Sequence, residues 1–275
     1  MKSKRHAKLL ATVAGVMVAF AMVGSAAQAK TPNPGYTQFA GCPSPEENAA
    51  VVTCIRSDIT GGHFQMGSKT VPIEKPLTLS GGVKEGFGPL FYNASGGLSK
   101  VKQRVPGGVI GLTGLTWLAE FLGSDALTLY ATTELAGTPL ILGAAAAQLP
   151  IKVHLENSTG VLGKNCYIGS TASPIVLNLT TGTTSPPLPN KPISGTVPEV
   201  EFEEEREILE LNNGVFVDNS FAAPGANGCV LTLFGVIPFS LNSLVNLQSG
   251  LPSPAGKNET VQEFDNQIAS AESVY

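Results

Sequence analysis

Chemically versatile side chains are scarce in this chain. Its 275 residues include three His, one Trp and four Cys, and Asp, Glu, Lys and Arg together make up 14%. Beyond residue 29 the histidines are His63 and His154, so acid–base catalysis has two histidine candidates. No Gly-x-Ser-x-Gly occurs, which excludes a nucleophile elbow of the α/β-hydrolase type. Glycine is abundant at 31 residues, yet neither a dinucleotide fingerprint nor a P-loop is formed. No two cysteines have Cys-x-x-Cys spacing, which removes the usual zinc frames. No cofactor and no metal site is indicated. After residue 29 no apolar run of about 18 residues recurs, so no transmembrane helix is predicted.

What is present begins with an address. Lys2, Lys4, Arg5 and Lys8 form a basic start, residues 9–23 are an unbroken run of apolar and small residues, and Ala27-Gln28-Ala29 is a small-x-small cleavage site. That is the pattern of a secretory signal peptide cleaved after Ala29. The run, roughly 15 residues, falls short of the ~20 that span a bilayer, which disfavours an uncleaved anchor. No Cys follows the cleavage site directly, and residues 269–275 carry neither a hydrophobic tail nor a basic stop. A lipid anchor and a covalent wall-sorting signal are therefore not indicated. Four of the 17 Lys+Arg precede Ala29, leaving 13 against 21 Asp+Glu and a net charge of −8. An acidic surface argues against nucleic acid and anionic lipid as partners, since both need a basic footprint.

The four cysteines, Cys42, Cys54, Cys166 and Cys229, are an even number in an exported chain and read as two disulfides. Of three pairings, Cys42–Cys54 with Cys166–Cys229 is favoured because each bridge then stays within its own half of the chain. Residues 30–41, with Pro32, Pro34 and Gly35, read as an extended arm. Residues 42–275 read as a mainly β, disulfide-tied region, an antiparallel β-sandwich with one short covering helix and a subdivision left open at 136–148. Stretches 49–56 and 70–79 are β-like, and 127–135 and 149–156 alternate strictly, with Ile151, Val153 and Leu155 inward. Leu112, Leu115, Leu118 and Leu122, widened by Trp117 and Phe121, predict the helix, with Gly123 as its stop. Residues 180–198, rich in Thr, Ser and Pro, read as a long crossover loop. The acidic run 199–211 holds seven Glu; Val200, Phe202 and Ile208 share one face and alternate Glu the other, predicting a strand with a solvated edge. Asn213-Gly214 predicts a hairpin and Asn227-Gly228 a second tight turn. In 258–274, Val261, Phe264, Ile268 and Ala271 recur at helical spacing and predict a helix, a terminal strand being the alternative.

Candidates for chemistry are few. His154 falls on the wet face of its strand between Lys152 and Glu156. His63 follows Gly61-Gly62 in a loop, with no nucleophile paired to it by sequence. Asp58, Asp125, Asp218 and Asp265 are the only aspartates, and no spacing singles out a glycosidase-type pair. The glutamates of 199–210 offer oxygen ligands for Ca²⁺, but alternation aligns them in a row rather than converging them.

At Cys166-Tyr-Ile-Gly-Ser170, Pro174-Ile175, Thr181-Gly-Thr-Thr-Ser-Pro-Pro187, Val217-Asp-Asn-Ser-Phe221, Gly225-Ala-Asn-Gly-Cys229 and Gly250-Leu-Pro-Ser-Pro-Ala-Gly-Lys-Asn258, the chain resembles uncharacterised secreted proteins of actinobacteria. The resemblance implies export, a Gram-positive envelope setting and a cysteine pair spanning the second half, and it carries no activity. The function expected is non-catalytic: a secreted or cell-envelope-associated binding or structural protein. Two alternatives stand beside it. One is a secreted hydrolase assembled by the fold from His63, Asp58 and the Ser/Thr-rich loops; the other is a Ca²⁺-dependent adhesive module.

Overall fold

The structure is a computed structural model that describes residues 30–123, 127–233 and 236–275. The predicted signal peptide with Ala27 and Ala29, and Asp125, lie outside the described residues. In chain order the elements are β1 (Thr53–Met66), β2 (Lys69–Pro72), β3 (Leu77–Val83), β4 (Gly88–Pro89), β5 (Gly97–Leu98), β6 (Lys102–Val105), α1 (Gly108–Thr113), α2 (Trp117–Leu122), β7 (Leu129–Leu135), β8 (Leu140–Gly143) and β9 (Ala146–Asn157). There follow β10 (Tyr167–Ile168), β11 (Ile175–Thr180), β12 (Glu199–Glu203), β13 (Ile208–Asp218), β14 (Ala226–Asn227), β15 (Val230–Leu233), β16 (Ile237–Ser240), α3 (Asn242–Ser249), β17 (Glu259–Ser270) and α4 (Ala271–Val274).

The protein is mainly β, and its long strands form one curled antiparallel sheet. Neighbours run β9–β11–β13–β17–β1–β3. Beyond β3, Gly82 exchanges two backbone hydrogen bonds with Phe91, at 2.7 and 2.8 Å. The same segment pairs through Gly88 and Pro89 with Ile141 and Leu140 of β8, which pairs back onto β9. The ladder thus returns to its start, and the two walls of the layered fold are opposite sides of one sheet. Strand β9 joins this ring to a second wall, because its C-terminal half pairs with β7 on one edge and β10 on the other. Residues 136–148 therefore run inside a continuous sheet. Period-two alternation buries Ala147, Leu149, Ile151, Val153 and Leu155 of β9 along its whole length.

Cys42 is bonded to Cys54 and Cys166 to Cys229, with Cα separations of 5.5 and 4.1 Å. The first bridge ties the N-terminal segment to β1. The arm folds back rather than projecting: Asn33 N–H donates to Val274 O at 2.7 Å, and a 3₁₀ turn over Thr37–Phe39 buries Phe39 completely.

Further local readings fail, each for a physical reason, and His63, read as a loop residue, lies within β1 opposite Val261. Residues 259–270 are a strand, not a helix; the inward positions Thr260, Gln262 and Asn266 are polar, which hides the two-residue period. Asn213-Gly214 is not a hairpin turn but a β-bulge within β13, where Asn213 takes φ 57° and the register to β17 slips between Leu211 and Gly214. The hairpin lies inside the acidic run instead: β12 pairs only with β13, the chain turns at 204–207, and Glu207 takes φ 50°. Val200 and Phe202 are consequently exposed, at 65% and 58%, because this overhanging edge strand has no layer to face. The covering helix is broken into α1 and α2 by Gly114 at φ 73°; Leu112 and Leu118 are buried while Trp117 is exposed.

The Tyr275 hydroxyl, beside the cluster of Phe39, Cys42, Cys54 and Val274, donates to Cys42 O at 2.5 Å. Burial, with a smaller contribution from the Glu47 carboxylate, holds this phenol above the ordinary tyrosine range. A raised pKa means the protonated form is favoured by folding. That contribution is complete below about pH 10 and is lost as pH rises through the raised value. Chemical-denaturation midpoints are therefore expected to fall more steeply above about pH 10 in the parent than in Tyr275→Phe; parallel curves would contradict this.

Candidate functional site

The inward face of β17 carries Thr260, Gln262, Phe264 and Asn266, all buried. Gln262 is 1% exposed and Asn266 6%. The Thr260 hydroxyl donates to His63 O at 3.0 Å and accepts from Gln262 Nε2 at 3.1 Å. Asn266 Nδ2 donates to Ala144 O at 3.2 Å. Neither Gln262 Oε1 nor Asn266 Oδ1 has a hydrogen-bond partner. Both side chains line a cavity of about 40 Å³ inside the ring, whose other walls include Ile59, Leu90, Ile141, Leu149, Leu179 and Phe216. A buried carbonyl oxygen without a donor costs about 1–3 kcal/mol. The cavity exceeds the roughly 10–15 Å³ that admits one water-sized group. The arrangement can accept hydrogen bonds from a small, otherwise apolar molecule.

A second group of polar side chains, with Asn219 and Asn258 buried, fastens the 180–198 crossover. Asn190 Nδ2 donates to Asn219 O and Asn258 O at 2.9 and 2.8 Å, and Asn219 Nδ2 donates to Lys191 O at 2.8 Å. Asn258 Nδ2 faces Phe221 O, Ser253 O and Pro254 O, while its Oδ1 accepts from Gly67 N–H at 2.9 Å. Segments 190–191, 219–221 and 253–258, far apart in sequence, thus meet in one fastening. Beside it Asp218 is fully buried and accepts from Asn178 N–H, Ser220 N–H and the Ser220 hydroxyl, at 2.7, 2.8 and 2.7 Å. Asp218→Asn turns one acceptor oxygen into a donor facing a donor. It is expected to lower the unfolding free energy by about 2 kcal/mol in urea titration, and an unchanged midpoint would contradict the assignment.

The residues singled out by sequence do not assemble into a catalytic group. His63 Nε2 lies 3.3 Å from Glu259 Oε1, both side chains about one-third exposed. Asp58 accepts Arg56 Nε and Nη2 at 2.7 and 3.0 Å and the Thr78 hydroxyl at 2.6 Å. Five residues of β1 separate it from His63, roughly 16 Å. Asp58 and Asp265 are cross-strand partners, a juxtaposition invisible in the sequence. Their Cβ atoms are about 5 Å apart on the face opposite the lumen. Asp265 Oδ1 accepts from Asn213 N–H. His154 stacks on Tyr167 at 4.5 Å, and Lys152 Nζ sits 4.6 Å from the same ring. Among the described residues no three His, Cys, Asp or Glu side chains gather as metal ligands.

One further surface is distinctive. Residues 219–256 contain no charged side chain, and within them Val236, Ile237, Phe239 and Leu247 are exposed. No helix among the described residues is long and apolar enough to cross a membrane.

Neither the family models, nor the curated proteins, nor the solved structures compared with this chain match it. Gln262 and Asn266 were missed by sequence reasoning because a helical reading of 258–274 gives them no common inward face. The signal that finds them is positional: Thr260, Gln262, Phe264, Asn266 and Ile268 occupy alternate positions.

Proposed function

We propose that this is an exported, non-catalytic binding protein whose ligand occupies the lumen of the curled sheet. The ligand is a small, mainly apolar molecule that donates a hydrogen bond to Gln262 or Asn266. The observation that carries this reading is a pair of buried amide oxygens without partners, on two residues that line a mainly apolar cavity. Hydrocarbon walls with one or two fixed polar groups are what orient a small ligand. Export is supported by the signal-peptide pattern, the two disulfides and the resemblance to secreted actinobacterial proteins.

The test is a titration of ¹⁵N-labelled protein with butanol and with pentane of similar size. Butanol is expected to shift the side-chain amide signals of Gln262 and Asn266 and to bind about fivefold more tightly than pentane, the worth of one hydrogen bond near 1 kcal/mol. Gln262→Met and Asn266→Leu together are expected to erase that preference. Shifts confined to surface residues, or equal affinities for the two probes, would overturn the reading.

A further inference from the structure

The lumen cavity is not isolated. Three smaller voids of about 10, 20 and 30 Å³ continue from it through the core. The first and second share Ile59, Leu149 and Gln262 as walls; the second and third share Phe64, Leu77 and Thr133; the third and fourth share Met66, Val71, Ala131 and Val153. Each pair shares three or four side chains as walls, and Met66 among them is unbranched and adaptable. The row follows one strand: Ala147 of β9 lines the first void, Leu149 and Ile151 the second, Val153 the third and Leu155 the fourth. Eight residues of strand span about 26 Å. A single bilayer leaflet, half of a ~30 Å hydrocarbon core, is shorter than that.

Polar side chains are few along the row, among them Gln262 and Asn266 on the first void, Gln103 and Thr133 on the middle ones and Ser249 on the fourth. Asn266 and Gln262, whose side-chain carbonyl oxygens have no partner, line the first void, and Ser249, 2% exposed with its hydroxyl oxygen unpartnered, lines the fourth. Lys69, also on the fourth void, is the only charged residue along the row. Well-packed interiors hold few voids larger than a water. A compact ligand calls for one rounded space, whereas a row of narrow voids with shared side-chain walls fits a linear one.

We infer that the ligand is a single unbranched aliphatic chain bearing a hydroxyl or amide N–H at the end held by Gln262 and Asn266, its tail running along β9 toward Ser249. This rests on the lumen-binding reading above and adds the shape of the ligand. The test is calorimetric titration of the full chain, disulfides intact, with butanol, hexanol, octanol and decanol. Affinity is expected to rise about fourfold per added methylene, the transfer worth of one buried CH₂, and to level off once the row is filled. Ala131→Val narrows the shared wall of the third and fourth voids, and is expected to bring the plateau to a shorter chain while leaving butanol affinity unchanged. Val153→Ala widens the same wall and is expected to move the plateau the other way, so one folded variant suffices. Butanol binding with no dependence on chain length would overturn the linear-ligand inference alone. A rise with chain length that neither wall variant alters would place the tail elsewhere and overturn it as well. Absence of binding by any of the four alcohols would overturn this inference and the lumen reading together.

Discussion

Truncation of Phe264 to alanine is expected to destabilise the protein by about 3–5 kcal/mol, the usual cost of removing a buried aromatic ring. Phe264 is 1% exposed and stacks on Phe216 with ring centroids 3.7 Å apart and planes 13° from parallel. It sits opposite Ile59 of β1 and Gly214 of β13, so the ring touches both neighbours of β17 within the closed ladder. Gly214 is fitted to it: a Cβ there would fall inside the van der Waals surface of the Phe264 ring. Removal therefore costs ring burial and the aromatic pair together, and rigid strands on both sides limit collapse of the space left behind. For a chain of this size the melting temperature is expected to drop by roughly 10–15 °C. A loss below about 1 kcal/mol in urea titration would show that β17 is not the central stave of the ring.

Replacing Cys166 and Cys229 by alanine is expected to cost about 4 kcal/mol, from the chain entropy released in the unfolded state. The bridge closes a loop with a sequence separation of 63, against 12 for Cys42–Cys54, whose removal is expected to cost about 3 kcal/mol. Both cysteines of the longer bridge are fully buried, so alanine also leaves two small packing defects. The loop contains β11, the 180–198 crossover and β13. Outside it, β15, β16 and α3 are held near the bridge by Leu241 N–H donating to Cys229 O and Cys229 N–H donating to Asn242 Oδ1. Amide exchange in the variant is therefore expected to accelerate first over 230–249, while the β1–β17 ladder keeps its protection up to global unfolding. Uniform acceleration across both regions, or a loss under about 1 kcal/mol, would contradict this distribution of stability.

What was legible in the sequence was whatever alternated cleanly. Strand β9 reads directly because every inward residue is apolar and outward residues such as Lys152, His154 and Glu156 are not. The disulfide pairing followed from the separation of the cysteines along the chain. Strand β17 was misread because three of its inward residues are polar, and those residues belong to the candidate site. A buried polar group costs stability and survives only where something compensates it, so the failure of pattern reading coincides with the place where the ring holds its amides. The Asn213-Gly214 bulge was misread for a different reason. The same left-handed backbone preference serves a tight turn and a bulge, and only the partner strand decides between them. Ring closure through Gly82, Phe91 and Ile141, and the opposition of Asp58 to Asp265, depend on register between distant segments and leave no local trace.

The central claim, that an apolar molecule bearing a donor is held inside the ring, is tested most directly by isotope-edited nuclear Overhauser spectroscopy of ¹³C-labelled protein with unlabelled hexanol. The exposed apolar side chains Val236, Ile237, Phe239 and Leu247 are the competing places for such a molecule to settle. Cross-peaks from the alkyl protons to Leu149, Leu179 and Phe216 are the result predicted. Cross-peaks to Val236, Phe239 and Leu247, with silence from the lumen, would contradict it.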